Sequence, residues 1–246
     1  MPSPGSASIA LVTCAEHPDL SPDDRLLAAA LARRGFRPVP ALWDDPDLRW
    51  VEHDAVVLRS CWDYHYRADA FRRWLDRLER EGARVYNRLG TVRWNMRKTY
   101  LRDLEAAGVP VTGTVWVAAG SASTLREIAH RTGWDTLVVK PTVSASAFET
   151  WLVERGGAAA DEERFARLLG ERDLMVQPFL PAVVAEGELS LVFISGRFSH
   201  AVRKRAKAGD FRVQEEHGGT AEREEVAPDL VRQAARALAV APEPPL

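Results

Sequence analysis

The first ninety residues alternate short apolar runs with amphipathic stretches, and few folds accept that order. SIALVTC (8–14) is a continuous apolar run of strand length. SPDDRLLAAALARRG follows, with Ser21 placed as a helix N-cap, Pro22 at the first helical position, Asp23 and Asp24 in the first turn and Gly35 at the close. PVPALW (38–43) and DAVVLRSCW (54–62) read as two more strands. AFRRWLDRLEREG (70–82) has apolar residues at 71, 74, 75 and 78, a helical stripe that ends in glycine. Short apolar strands alternating with amphipathic helices predict a small, mostly parallel sheet with helices on its faces. No Gly-x-Gly-x-x-Gly follows the first strand, so a dinucleotide site is not expected there.

The pattern changes after Asn87. NMRKTYLRDLEAAG (95–108) reads as one helix, TVWV as a strand, TLREIAHRTG as a helix closing on Gly133, and TLVVKP as a strand. FETWLVE, a helix near 161–169 and LMVQPFL (174–180) come next. GELSLVFI and RFSHAVRKR, joined by Ser195-Gly196, read as a hairpin with a two-residue turn. The second half is therefore predicted to be α+β with antiparallel strands, and a boundary near residue 90 divides 1–90 from 91–246.

Loop length sets hairpin register, pairing Ile194 with Arg197, Val192 with Ser199, Ser190 with Ala201 and Glu188 with Arg203. One face would then carry Leu189, Leu191, Phe193, Phe198, His200 and Val202. The other would carry Glu186, Glu188, Ser190, Arg203 and Arg205, either as a solvated outer face or as one wall of an anion-binding cleft. Lys140 ends an apolar strand, so its ammonium must reach a carboxylate, a ligand or water. The small and hydroxyl residues after it, TVSASAFET, suit close approach of a phosphate. In LMVQPFL, Gln177-Pro178 interrupts a strand and leaves backbone groups that could read a purine edge.

Composition limits the partners. A chain of 246 residues with 46% hydrophobic content can bury one large core or two small ones. Its net charge of −2 provides no general basic field, so the run RKRAKAGDFR (203–212) is not expected to hold nucleic acid or an anionic membrane. No apolar run is long enough to span a bilayer and MPSPGSAS lacks signal-peptide features, which predicts a cytoplasmic protein. Cys14 and Cys61 end strand-like runs; a structural or site-lining role is favoured over a catalytic thiol, and a disulfide is not expected.

The phrases LVTC, VVLRSCWDYH, NMRKTYL, VVKPTVSASAFET, VQPFLP, EGELSLVF and HAVRKRAKAGDFRVQEEHGG, in this order, resemble the ATP-grasp superfamily of carboxylate ligases. The group resembled includes prokaryotic glutathione synthetase and the O-ureido-D-serine cyclo-ligase. The resemblance implies a Rossmann-like pre-ATP-grasp domain over 1–90 and an ATP-grasp nucleotide-binding domain over 91–246. It also implies ATP-dependent joining of a carboxylate to an amine or other nitrogen nucleophile through an acyl-phosphate. The substrate would be an amino acid or small peptide, and ring closure is one version of the reaction. A non-catalytic ATP-binding module on the same fold is the alternative.

Residue roles follow from the resemblance. Lys98, on the helix opening the second domain, and Lys140 would meet nucleotide phosphates, with Ser144 and Ser146 in the loop covering them. Gln177, Pro178 and Phe179 would hold adenine through backbone groups, and Glu186 the ribose, with Glu188 near it. Arg203 and Arg212 are the expected catalytic cations, near the transferring phosphate and the acceptor carboxylate. Lys204 and Lys207 are expected to be solvated. Gly218 and Gly219 would form the turn beside the substrate, and Asp63 and Tyr64, after a strand end, would contact it. His65 and His217 read as solvated rather than as proton carriers. Magnesium is implied as cofactor, but the acidic strand that holds it in these ligases is not seen after Gly219. AEREEVAPDL reads as a charged loop, its Glu222, Glu224 and Glu225 as solvated, and the domain as truncated. Such ligases are often homodimers, although no apolar stripe marks an interface.

Overall fold

The computed structural model describes residues 6–157, 159–214 and 217–244. The chain divides into two compact units, one of residues up to Met96 with those from Ala241, the other Arg97–Val240.

The first unit contains β1 (Ser8–Thr13), α1 (Pro22–Arg33), β2 (Arg37–Leu42), β3 (Ala55–Ser60), α2 (Ala68–Glu81), β4 (Val85–Tyr86) and α3 (Leu89–Asn95). Its sheet is entirely parallel, in the order β2-β1-β3-β4. β1 is buried along its whole length, as a continuous apolar run in a parallel sheet requires. Ser21 caps α1 by accepting from the Asp24 amide. α2 buries Phe71, Trp74, Leu75 and Leu78 against Trp43 and Trp50, each large side chain contributing about 1.5–3 kcal/mol. Between β1 and β3 the register slips: Val12 pairs with Leu58 but Thr13 with Ser60, so Arg59 is an inserted residue.

The second unit contains α4 (Tyr100–Ala106), β5 (Val115–Val117), α5 (Leu125–Thr132), β6 (Thr136–Pro141), β7 (Trp151–Glu154), α6 (Ala159–Glu171), β8 (Leu174–Pro178), α7 (Pro181–Ala185), β9 (Glu188–Ile194), β10 (Arg197–Arg205), β11 (Thr220–Glu224) and α8 (Pro228–Leu238). It has two antiparallel sheets, ordered β5-β8-β6-β7 and β11-β10-β9. A capping box between Thr124 and Glu127 starts α5, and Leu125, Ile128, Phe165, Leu168 and Leu169 of α5 and α6 build the core against the first sheet.

Four sequence expectations are corrected. The segment 95–108 is not one helix: α3 stops at Asn95 and α4 starts at Tyr100. Lys98 lies in the break, where its N–H donates to Thr142 O (2.7 Å) instead of continuing a helix. The strand read from Phe148 begins only at Trp151. Residues 220–224 form β11 rather than a charged loop, because cross-strand charge pairing with β10 accommodates their carboxylates. The hairpin register also differs. Ser195 (φ 51°) and Gly196 (φ 73°) make the left-handed two-residue turn, and Ile194 pairs with Arg197 as predicted. Ser199 then loops out, so His200 pairs with Val192, Val202 with Ser190, Arg203 with Leu189 and Lys204 with Glu188. One inserted residue moves everything beyond it to the other face. Arg203 therefore shares a face with Leu189, Leu191 and Ala201, and Lys204, not Arg203, stands beside Glu188.

Candidate functional site

β6 alternates strictly. Leu137, Val139 and Pro141 are buried, while Val138 and Lys140 point to the opposite face. β8 places Gln177 opposite Val138, and together they floor a cavity of about 340 Å³ within the second unit. Lys98 enters from the break before α4, the 144–147 segment from the loop after β6, Glu188 from the start of β9, and Phe211–Gln214 from the loop after β10.

Two ammonium groups share this space. Lys98 is half-buried and its ammonium donates to Ser144 O (2.8 Å); burial holds its pKa below the usual lysine range. The Lys140 ammonium makes no hydrogen bond or ion pair among the described residues. Burial, with the nearby Lys98 charge acting in the same direction, pushes its pKa down to about 8, and Glu188 opposes both. Glu188 is the one carboxylate along the cavity wall among the described residues. It also lies 3.8 Å from the Lys204 ammonium, so Lys204 is not simply solvated.

The loop after Lys140 is held tightly at its base and bent at its tip. Thr142 and Ser144 are buried, and the Thr142 N–H donates to Asp173 O. Ser146, Ala147 and Glu149 all have positive φ near 50°, a conformation that costs non-glycine residues of order 1–3 kcal/mol each. Such turns expose successive N–H groups to one side, which is how backbone takes up an anion. On the facing wall, Gln177 Nε2 donates to Thr114 Oγ1 (2.8 Å), which fixes its side chain. Phe179 N–H donates to Thr136 O (2.9 Å), continuing the ladder past Pro178. Pro178, Phe179 and Leu180 then offer a mainly apolar wall.

The remaining predicted residues divide clearly. Arg212 lines the cavity, and Asp210 holds it through Nη2 (2.7 Å) and Nε (3.1 Å), which keeps the Asp210 carboxyl far below the usual carboxylate range. Arg203 does not line the cavity. Its Nη1 donates to Glu186 O (3.1 Å) and its Nη2 to Glu224 Oε1 (2.8 Å), so Glu224 is a paired strand residue rather than a solvated one. The Glu186 carboxylate is likewise absent from the cavity wall. Gly218 and Gly219 shape the site indirectly: Gly219 N–H donates to Gln214 O, and a Cβ at Gly219 would stand 2.2 Å from Val213 O. His217 Nε2 lies 3.4 Å from Ser146 O. Sequence reasoning did not anticipate Gln214, which lines the cavity with a buried side-chain oxygen that has no hydrogen-bond partner among the described residues. The FRVQ phrase gave no local signal for it beyond its neighbour Arg212.

In the first unit, Asp63 accepts from Trp43 Nε1 (2.7 Å) and from Arg67 Nη2 (2.8 Å), so both its oxygens have internal partners. Tyr64 packs against the core beside Phe71, and His65 is buried rather than solvated, bonded through Nδ1 to Trp62 O. Cys14 and Cys61 are buried free thiols. Burial drives the Cys61 pKa strongly up, leaving it protonated and unsuited to nucleophilic work. Among the described residues no group of three His, Cys, Asp or Glu could hold a metal ion, and no helix is long and apolar enough to cross a membrane.

Comparison with known proteins fits this geometry. The family model for the N-terminal domain of D-cycloserine synthetase DcsG matches residues 9–87. The cycloserine biosynthesis protein DcsG of Streptomyces lavendulae is 33% identical over 202 residues, which cover 80% of this chain and 67% of that protein. The crystal structure of D-cycloserine synthetase DcsG superposes with a TM-score of 0.83 at 30% identity, covering 96% of this chain and 80% of the other. Glutathione synthetase of Prochlorococcus marinus (strain MIT 9313) is 33% identical over 153 residues, 60% of this chain and 46% of that protein. A RimK domain ATP-grasp protein from Sphaerobacter thermophilus DSM 20745 shares the fold at a TM-score of 0.70 and 24% identity, covering 95% of this chain and 81% of the other. The chain belongs to the ATP-grasp ligases, enzymes that form C–N bonds.

Proposed function

We propose that the cavity of the second unit binds ATP, and that the protein uses it to activate a small amino-acid-like carboxylate for attack by a nitrogen nucleophile. The observation that carries this reading is the pair of half-buried ammonium groups, Lys98 and Lys140, with a single carboxylate along the same cavity wall among the described residues. Such a site is short of negative charge, and a polyphosphate supplies it. Lys98 and Lys140 would take the phosphates, with Ser144 and Ser146 in the covering loop. Adenine would lie along Gln177, Pro178 and Phe179, and Glu188 would be placed for the ribose.

A carboxylate does not exchange its oxygen for an amine at neutral pH, because oxide is a poor leaving group. Transfer of the γ-phosphoryl group to one carboxylate oxygen gives an acyl-phosphate and ADP. The nitrogen lone pair then attacks the acyl carbon, the C–O bond to phosphate breaks, and the nitrogen loses a proton. The protein's part is to position and neutralise charge. Arg212, fixed by Asp210, would hold charge developing on the acyl group. Among the described residues no group of three His, Cys, Asp or Glu is gathered for magnesium, and the roles above are those of the chain's own side chains.

A screen of amino acids and small peptides for substrate-dependent ADP and phosphate release tests this reading. Stoichiometric ADP, phosphate and amide supports it. ATP binding without turnover for any substrate would favour the alternative, a non-catalytic nucleotide-binding module.

A further inference from the structure

The first unit has a built feature that none of these roles uses. Its strand order reverses between β1 and β3, and in open parallel sheets ligands bind where the loops leaving such strands separate. The inserted residue of β3, Arg59, lies at that strand end. A bulge re-aims side chains. Arg59 and Ser60 would point to opposite faces in a regular strand, yet both reach Asp24 of α1. Arg59 Nε donates to Oδ1 (2.6 Å), and Ser60 Oγ donates to Oδ2. Asp24 is fully buried, whereas the Arg59 side chain is 42% exposed. The buried carboxylate thus anchors the guanidinium from behind. Arg59 Nη1 and Nη2 have no partner among the described residues.

Both neighbouring loops are fixed. Thr13 Oγ1 and the Leu20 N–H donate to His17 O, and the His17 ring meets Trp62 edge-on at a centroid distance of 5.0 Å. Trp62 is nonetheless half exposed. An anchored guanidinium edge and an exposed aromatic surface therefore stand on the same pair of strand ends.

We propose that this strand end binds a small amino-acid-like ligand, with its carboxylate on the Nη1–Nη2 edge of Arg59 and its body against Trp62. The planar fork fits two carboxylate oxygens at once. The inference rests on the ligase reading above and deepens it: the first unit would recognise an amino-acid substrate through its carboxylate.

The test titrates the 246-residue chain with glycine, L-alanine, D-alanine and their carboxamides, using calorimetry and saturation-transfer NMR, with inorganic phosphate as an anion control. Arg59→Lys is the informative variant, because it retains a cation for Asp24 but has no second donor edge. At least one amino acid should bind saturably, its carboxamide at least ten-fold more weakly, and Arg59→Lys should weaken the acid ten-fold while ATP affinity and Tm stay near wild type. Equal binding of acid and carboxamide, unchanged affinity in Arg59→Lys, displacement by equimolar phosphate, or no binding of any amino acid would each overturn the proposal. Failure of the wild-type chain to bind ATP would sink the ligase reading alone, since the amino-acid titration is scored independently.

Discussion

Two strands of the second unit, β6 and β10, both carry conspicuous cations, and their surroundings give those cations different work. β10 and the loop after it look the more charged in sequence, yet Arg203 pairs with Glu224, Lys204 lies near Glu188, and Arg212 is locked on Asp210. β6 brings a single lysine. Lys140, with Lys98 beside it, is the cation that burial leaves short of a counter-charge. A cation without an internal partner marks an anion site better than a dense run of positive charge does.

The difference can be broken from the β6 side first, where the largest effect is expected. Lys140→Met removes a half-buried charge that lacks a counter-ion, so the chain should fold at least as well as wild type, while ATP affinity falls by about a hundred-fold or more in calorimetry. Unchanged ATP affinity would remove the basis for placing phosphates there.

The second prediction concerns pH. Lys140 has a folded pKa of about 8 against 10.5 for the free side chain. Between those values the unfolded chain binds more protons than the folded one, so stability without ligand should rise as pH goes from 8 to 10.5. The whole difference is about 3 kcal/mol, fully present as a penalty below pH 8. Denaturant titrations of wild type and Lys140→Met should diverge across that window, the variant lacking the rise. ATP binding near pH 8 should take up protons, since phosphates favour the charged lysine, and buffer-dependent heats would reveal the uptake.

Smaller effects are expected on β10, and their order tests the observed register. Lys204→Ala, beside Glu188, should lower ATP affinity several-fold, whereas Arg203→Ala should change it less than three-fold. The reverse order would indicate that Arg203 reaches the nucleotide despite its bonds to Glu186 and Glu224. Glu224→Gln should match Arg203→Ala in Tm within a degree or two, as partners in one half-buried ion pair should.

Much of the frame was legible in the sequence because local signals and burial agree there. The apolar run of β1, the Ser21 cap, the two-residue Ser195-Gly196 turn and the place of Lys140 at the end of an apolar strand each follow from short stretches of chain. What escaped depends on contacts distant in sequence. Residues 95–108 have helical composition throughout, and only the bond from Lys98 N–H to Thr142 O shows why the helix breaks. The bulges at Ser199 and Arg59 carry no glycine or proline to announce them. β11 is rich in carboxylates and reads as a loop until β10 supplies the arginines opposite. Arg59 drew no separate reading from the sequence, because its anchoring by Asp24 exists only in the fold.

The central claim, that Lys98 and Lys140 jointly hold the phosphates of ATP, is tested most directly by a double-mutant cycle on ATP affinity with Lys98→Met, Lys140→Met and the pair. Each single change should cost a large part of the affinity and the double change clearly less than the sum of the two, because both cations meet one polyphosphate. Strictly additive small losses, or a double variant that binds ATP as tightly as wild type, would contradict the account.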